Sequence, residues 1–160
     1  MSNTLLSLTR RRPTAAAYLS GAPANPEIKG AVLFYQTSRG VLVTAEISGL
    51  PKSDSPAGHC GIFGFHIHDG GSCTGNGTDP FADTGSHYNP SGAPHPCHAG
   101  DLPPLFSADG VAFSAVLTNR FSTSEIIGKT VIIHSHPDDF TTQPSGNAGT
   151  KIACGTIKSY

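Results

Sequence analysis

Tryptophan is absent from this 160-residue chain, methionine occurs once, as Met1, and only 13% of the residues are charged. Acids and bases nearly cancel to a formal charge of −1, which excludes a polybasic nucleic-acid binder. No apolar run is long enough to cross a bilayer, so no membrane span is expected. Extended helical periodicity, internal repeats and a dividing linker are also missing. What is abundant is Gly (19) and Pro (13), a mix that favours short strands joined by turns. The length suits a single domain with a core of ordinary size.

Residues 1–13 read as a flexible N-terminal arm, given Arg10-Arg11-Arg12 before Pro13, and residues 14–160 as the domain. The arm does not resemble an export signal, because its short apolar part precedes its charges. A cytoplasmic location is the default expectation. An extracytoplasmic one follows if disulfides form and a signal is missing. Cys60, Cys73, Cys97 and Cys154 permit two disulfides in three pairings, whereas a reducing cytosol would keep them as thiols.

Thr14 to Ser20 is assigned as a first strand, against the poor strand propensity of Ala15, Ala16 and Ala17. Ile28 to Gln36 and Val41 to Ile47 flank turn residues and form a hairpin. Ile62 to His68, two runs around the Asp109-Gly110 turn, Ile126 to His134 and Ile152 to Ile157 complete the strands. The expected architecture is all-β: a Greek-key sandwich or flattened barrel of about eight antiparallel strands with no clear helix. Two long irregular segments, Gly70 to Leu105 and Ser135 to Gly149, read as functional loops.

Six of the eight histidines lie between His59 and His98. In Phe65-His66-Ile67-His68, strand alternation sends the two apolar side chains to one face and both imidazoles to the other. An isolated His-x-His is most simply a pair of surface histidines. Here His87, His95, His98, Asp101 and His134 also need an explanation, and convergence on metal supplies one.

The motifs Gly64-Phe65-His66-Ile67-His68, Ser86-His87-Tyr88-Asn89-Pro90, His98-Ala99-Gly100-Asp101-Leu102, Val131-Ile132-Ile133-His134, Asp138-Asp139 and Gly146-Asn147-Ala148-Gly149 through Ala153-Cys154-Gly155 occur in this order. Over about Ile28 to Ile157 the chain therefore resembles the copper-zinc superoxide dismutases of bacterial type, with a shortened zinc loop. The resemblance implies copper bound by His66, His68, His87 and His134, and zinc bound by His87, His95, His98 and Asp101. It makes Asp138 a carboxylate that orients one ligand of each metal, and it pairs Cys73 with Cys154. The implied reaction is disproportionation of superoxide to oxygen and hydrogen peroxide by Cu(II)/Cu(I) cycling, with His87 as bridge and proton carrier. The implied partner is the superoxide anion; a homodimer is left open.

Three departures stand out. Only Pro96-Cys97 separates His95 from His98, so Cys97 competes with His95 as a zinc donor. A Cys60–Cys97 disulfide is the preferred alternative for that thiol. Lys151 stands where the family has an arginine that guides the anion; lysine keeps the charge and loses the planar fork. His59 and His136 have no matching role. Two other readings share the fold: a copper-delivery protein with weak dismutase activity, and a redox-silent zinc module. A delivery protein should lack a copper ligand or carry extra thiol or thioether donors; here all four copper positions are histidine and the single methionine is Met1, which favours the enzyme.

Overall fold

The computed structural model describes residues 12–52 and 60–160. Most of the proposed arm, and His59, therefore lie outside the described residues. Among the described residues nine strands form one antiparallel sheet: β1 (Ala15–Gly21), β2 (Lys29–Thr37), β3 (Gly40–Ser48), β4 (Ile62–Phe63), β5 (Phe65–His68), β6 (Leu105–Ala108), β7 (Val111–Thr118), β8 (Thr130–His134) and β9 (Lys151–Ser159). Their spatial order is β4-β6-β7-β3-β2-β1-β9-β8-β5. The two ends of that order, β4 and β5, are consecutive in the chain and separated only by Gly64. A single run thus pairs with β6 through Ile62 and Phe63, and with β8 through Phe65 to His68, making a nearly closed barrel. The expected strand Ile62 to His68 is this run, split at Gly64. A Cβ at Gly64 would lie 2.9 Å from Ala148 Cβ and 3.2 Å from His134 Cβ, so the crossing there is too close for a larger residue.

The core fills the barrel from alternate positions of each strand. Phe34, Phe63, Phe65, Ile67, Ile133 and Ile157 are fully buried. The alanine-rich first strand forms as expected. Ala15 and Ala17 are completely buried in β1, which lies between β2 and β9, so ladder pairing and close packing override weak propensity.

Among the described residues, two short helical elements differ from the sequence reading, a 3-10 turn at Ala82–Thr84 in the long loop and an α-helix before β8. Thr123–Ile126 is a short α-helix, α1, and β8 begins only at Thr130. Its start is a capping box: the Glu125 carboxylate accepts the Ser122 N–H at 2.7 Å. The β-branched run from Thr130 hid this helical turn.

Candidate metal centre

The candidate metal-ligating side chains come from two kinds of support. His66 and His68 sit on β5 and His134 on β8, with Phe65 to His68 laddered to Thr130 to Ile133. The other edge of β5 is covered by the long loop. The Ile67 N–H donates to Gly100 O at 2.9 Å, the Tyr88 N–H to Ile67 O at 2.8 Å, and the Leu102 N–H to Phe65 O at 3.3 Å. Isolated bridges then place His87 opposite His68 and Asp101 opposite His66. Loop residues are brought beside strand histidines by main-chain pairing. His66 and His68 do leave the core face, yet both are buried, because the loop lies over them.

Two donor groups result. His66, His68, His87 and His134 form one, and His87, His95, His98 and Asp101 the other. Within each, one donor atom per residue lies within 4.8 Å of the rest, and every member is buried. Cys97 belongs to neither and is exposed.

Hydrogen bonding fixes which ring nitrogens face inward. Carbonyl oxygens and ionised carboxylates only accept, so the nitrogens opposite them carry the protons. His68 Nδ1 donates to Gly85 O at 2.8 Å and His134 Nδ1 to Gly149 O at 3.4 Å. His66 Nε2 and His95 Nε2 donate to the two oxygens of Asp138, at 2.7 and 2.8 Å. The remaining nitrogens hold lone pairs that point at one another. His68 Nε2 faces His134 Nε2 at 3.2 Å with no proton between them. His66 Nδ1, His87 Nε2 and His95 Nδ1 are buried with no hydrogen-bond partner. In the second group Asp101 gathers the imidazoles. It lies 2.7 Å from His87 Nδ1, 3.1 Å from His95 Nδ1 without hydrogen-bond geometry, and 3.3 Å from His98 Nδ1.

A buried polar atom without a partner is costly, and several such atoms aimed at one point are repaid by a cation. The four-nitrogen group suits copper, and three imidazoles with one carboxylate suit zinc. The residues present fit both ions.

The electrostatics agree. Burial lowers His68 to about 2 and His134 to about 3, with the neighbouring imidazoles adding to the effect. His66 is lowered chiefly by burial, despite its bond to Asp138. All three are neutral, as metal ligands must be. For Asp138, burial acts to raise the carboxyl, but hydrogen bonds from His66, the Phe140 N–H and His95 hold it far below its ordinary value.

The short His95–His98 turn is held from outside. The Gln143 side chain accepts the His95 N–H at 3.0 Å and donates to His95 O at 2.7 Å. Arg120 Nη1 donates to Pro96 O, His98 O and Asp101 O at 3.1–3.2 Å. Gly146 leaves room for the Asp138 bridge: with φ +66°, a Cβ there would collide with the Asp138 carboxylate and lie 2.7 Å from His95 Nε2. None of Gln143, Arg120 or Gly146 stood out as a site residue in the sequence. Gly146 lies in a recognisable motif, while the other two act through contacts that no local pattern encodes.

A disulfide joins Cys73 to Cys154, tying the long loop to β9. The expected Cys60–Cys97 bridge is absent; both are exposed free thiols. Cys60 leads into β4, where Gly61 O accepts the Ser107 N–H, while Cys97 is fixed in the Arg120-braced turn by its N–H bond to Pro94 O. The two sit on separate supports. Lys151, paired with His134 across β8 and β9, donates from Nζ to Asp79 Oδ2 at 2.8 Å and to Phe81 O at 3.0 Å. His136 takes no place in either donor group; its Nδ1 is 2.9 Å from Ser135 Oγ.

Comparison with known proteins gives the same answer as the donor geometry. The family model for copper/zinc superoxide dismutase matches residues 28–157. The chain is 33% identical over 147 residues to "Superoxide dismutase [Cu-Zn] 2" of Aquifex aeolicus, covering 82% of this chain and 80% of the relative. It is 35% identical over 153 residues to "Superoxide dismutase [Cu-Zn]" of Legionella pneumophila, covering 91% and 86%. The solved structure of the Cu/Zn superoxide dismutase from Brucella abortus superposes with a TM-score of 0.74 at 25% identity, covering 90% of this chain and 99% of that one. With a match spanning most of the barrel and both donor groups, the chain belongs to the copper/zinc superoxide dismutase family.

Proposed function

We propose that this chain is a superoxide dismutase in which His66, His68, His87 and His134 hold copper, while His87, His95, His98 and Asp101 hold zinc. Two superoxide anions and two protons give one oxygen and one hydrogen peroxide, the electron passing from one superoxide to the other. Copper supplies the one-electron redox couple for that exchange, and zinc a fixed structural charge. The observation that carries the reading is that both donor groups share His87, whose Nδ1 meets Asp101 while its Nε2 is buried and without a partner.

The chain's own residues have separable tasks. His68 and His134 are locked as Nδ1–H tautomers by Gly85 O and Gly149 O, so each offers Nε2. Asp138 fixes the rings of His66 and His95 together and keeps their Nδ1 atoms free for coordination. His87 would take up and pass on a proton at Nε2, the buried nitrogen without a partner, while Nδ1 faces Asp101 and the second donor group. Lys151 is the positive group beside His134 toward which the anion is drawn. The Cys73–Cys154 bridge fits an oxidising, extracytoplasmic compartment better than a reducing one.

The test is metal analysis together with superoxide consumption by protein reconstituted with copper and zinc. One ion of each per chain, with consumption well above a free-copper control, is the expected outcome. Consumption no faster than the control would overturn the reading.

A further inference from the structure

Lys151 is not a bare cation. Its side chain is only 15% exposed, and two hydrogen bonds of Nζ are committed, to Asp79 Oδ2 and to Phe81 O. An ammonium has three donors, so one remains. Asp79 is itself aimed. Its Oδ1 accepts the Phe81 N–H at 2.9 Å, its N–H donates to Asn76 Oδ1 at 3.0 Å, and its carbonyl accepts the N–H groups of Asn76 and Ala82. The Cys73–Cys154 bridge anchors the start of this loop to β9. The carboxylate, with 39% of its side chain exposed, thus stands beside Lys151, whose position on β9 is opposite His134 on β8.

With its carboxylate open to solvent, the pair adds only modestly to stability. Phe81 O alone would also serve to hold the ammonium. The placement has an electrostatic consequence: the pair is nearly neutral, and Asp79 is its more exposed member.

We propose that Asp79 is a specificity-determining residue, a counter-ion that competes with small anions for Lys151 and so limits how strongly they are drawn to the mouth of the site. The inference rests on the dismutase reading for the identity of the physiological anion. The competition itself concerns any small monovalent anion.

The decisive variant is Asp79→Asn, which keeps an oxygen for the Phe81 N–H and removes the charge. Azide is titrated into the copper- and zinc-loaded protein and followed by visible absorption and electron paramagnetic resonance. At low salt its dissociation constant is expected to fall about threefold, as one unit charge several ångströms away would give in a watery mouth. The difference should vanish in about 1 M salt, where the Debye length is about 3 Å. In Asp79→Asn/Lys151→Gln the gain should disappear. Lys151→Arg is a second, independent variant: its fork engages Asp79 and Phe81 O with donors to spare, and azide should bind more tightly with Asp79 intact.

Acetylation of Lys151 in the metal-free full chain, measured by mass spectrometry against Lys158, supplies a readout that needs no copper. Loss of the counter-ion should speed it severalfold. Faster labelling with unchanged azide affinity would overturn the proposal and leave Asp79 a structural partner. No change in either would overturn it by showing that the pair does not persist in solution. If wild-type protein fails to consume superoxide while both shifts appear, the dismutase reading falls and the role of Asp79 toward anions stands.

Discussion

The strand-borne half of the centre and the loop-borne half are built by different means. His66, His68 and His134 sit in a hydrogen-bonded ladder whose neighbours, Phe65, Ile67 and Ile133, are core residues. Their backbone positions are set by barrel formation itself. His87, His95, His98 and Asp101 lie on a segment without a continuous ladder, held by a few main-chain bonds to β5 and by Gln143, Arg120 and Asp138. The contrast teaches that a redox site and a structural site sharing one imidazole need not be equally prepared before metal arrives. The strand half is a property of the fold; the loop half rests on a few main-chain bonds and on side-chain bonds, to which metal binding would add.

The sharpest way to break this contrast is to remove the shared ring. His87→Ala should abolish superoxide consumption and release zinc, whereas His134→Ala should abolish consumption and retain zinc, as read by metal analysis after dialysis. Equal zinc loss in both would mean that the two groups are not separate.

A smaller effect is expected at Gly146→Ala. Its Cβ would force the Asp138 carboxylate off His95 Nε2, lowering zinc affinity about 10–100-fold, as loss of an orienting carboxylate does. Hydrogen exchange in β8 should stay unchanged. Loss of protection there would show that the loop and strand halves are mechanically one.

The mildest test is acid. His68 and His134 titrate at about 2 and about 3 when folded, against an ordinary value of 6.5. The unfolded chain therefore binds more protons than the folded one between those limits, and metal-free stability falls as the pH drops below 6.5. Each such histidine contributes a slope of about 1.4 kcal/mol per pH unit. Asp138, held low in the fold, contributes stability above its ordinary value of 3.8 that is lost as pH falls through its folded value, so it acts in the same direction further into acid. Urea midpoints between pH 7.5 and 4.5 measure the slope, and His134→Ala should reduce it by one proton. An unchanged slope would mean that His134 is not held neutral by burial.

Much of the strand half was legible because its signals are local. Period-two alternation placed Phe65 and Ile67 inward, and β-branched Thr130-Val131-Ile132-Ile133 marked a second strand, which the structure pairs with the first. Loop-half residues were visible as residue types at suggestive spacing, but their supports were not. Arg120 reaches back to Pro96, His98 and Asp101, and Gln143 reaches His95, across separations that no sequence pattern reports. The same limit explains the cysteines. Cys60 and Cys97 made a plausible pair by count, yet pairing depends on where two loops rest, and both remain free thiols. Helix α1 was readable in principle, since Ser122 and Glu125 have capping-box spacing; the apolar stretch that follows drew the strand assignment too far toward the N-terminus.

The bend at Gly64 lets one stretch of backbone form both borders of the sheet, with β6 against its first part and β8 against its second. Among the described residues, that seam is where an open β-sheet would otherwise offer unpaired amides and carbonyls to a neighbouring molecule. The chain itself occupies that seam at Gly64, whereas beyond Ala112 β7 has, among the described residues, a strand partner on its β3 side only. Strand-by-strand growth at the seam would therefore first require the closure at Gly64 to open.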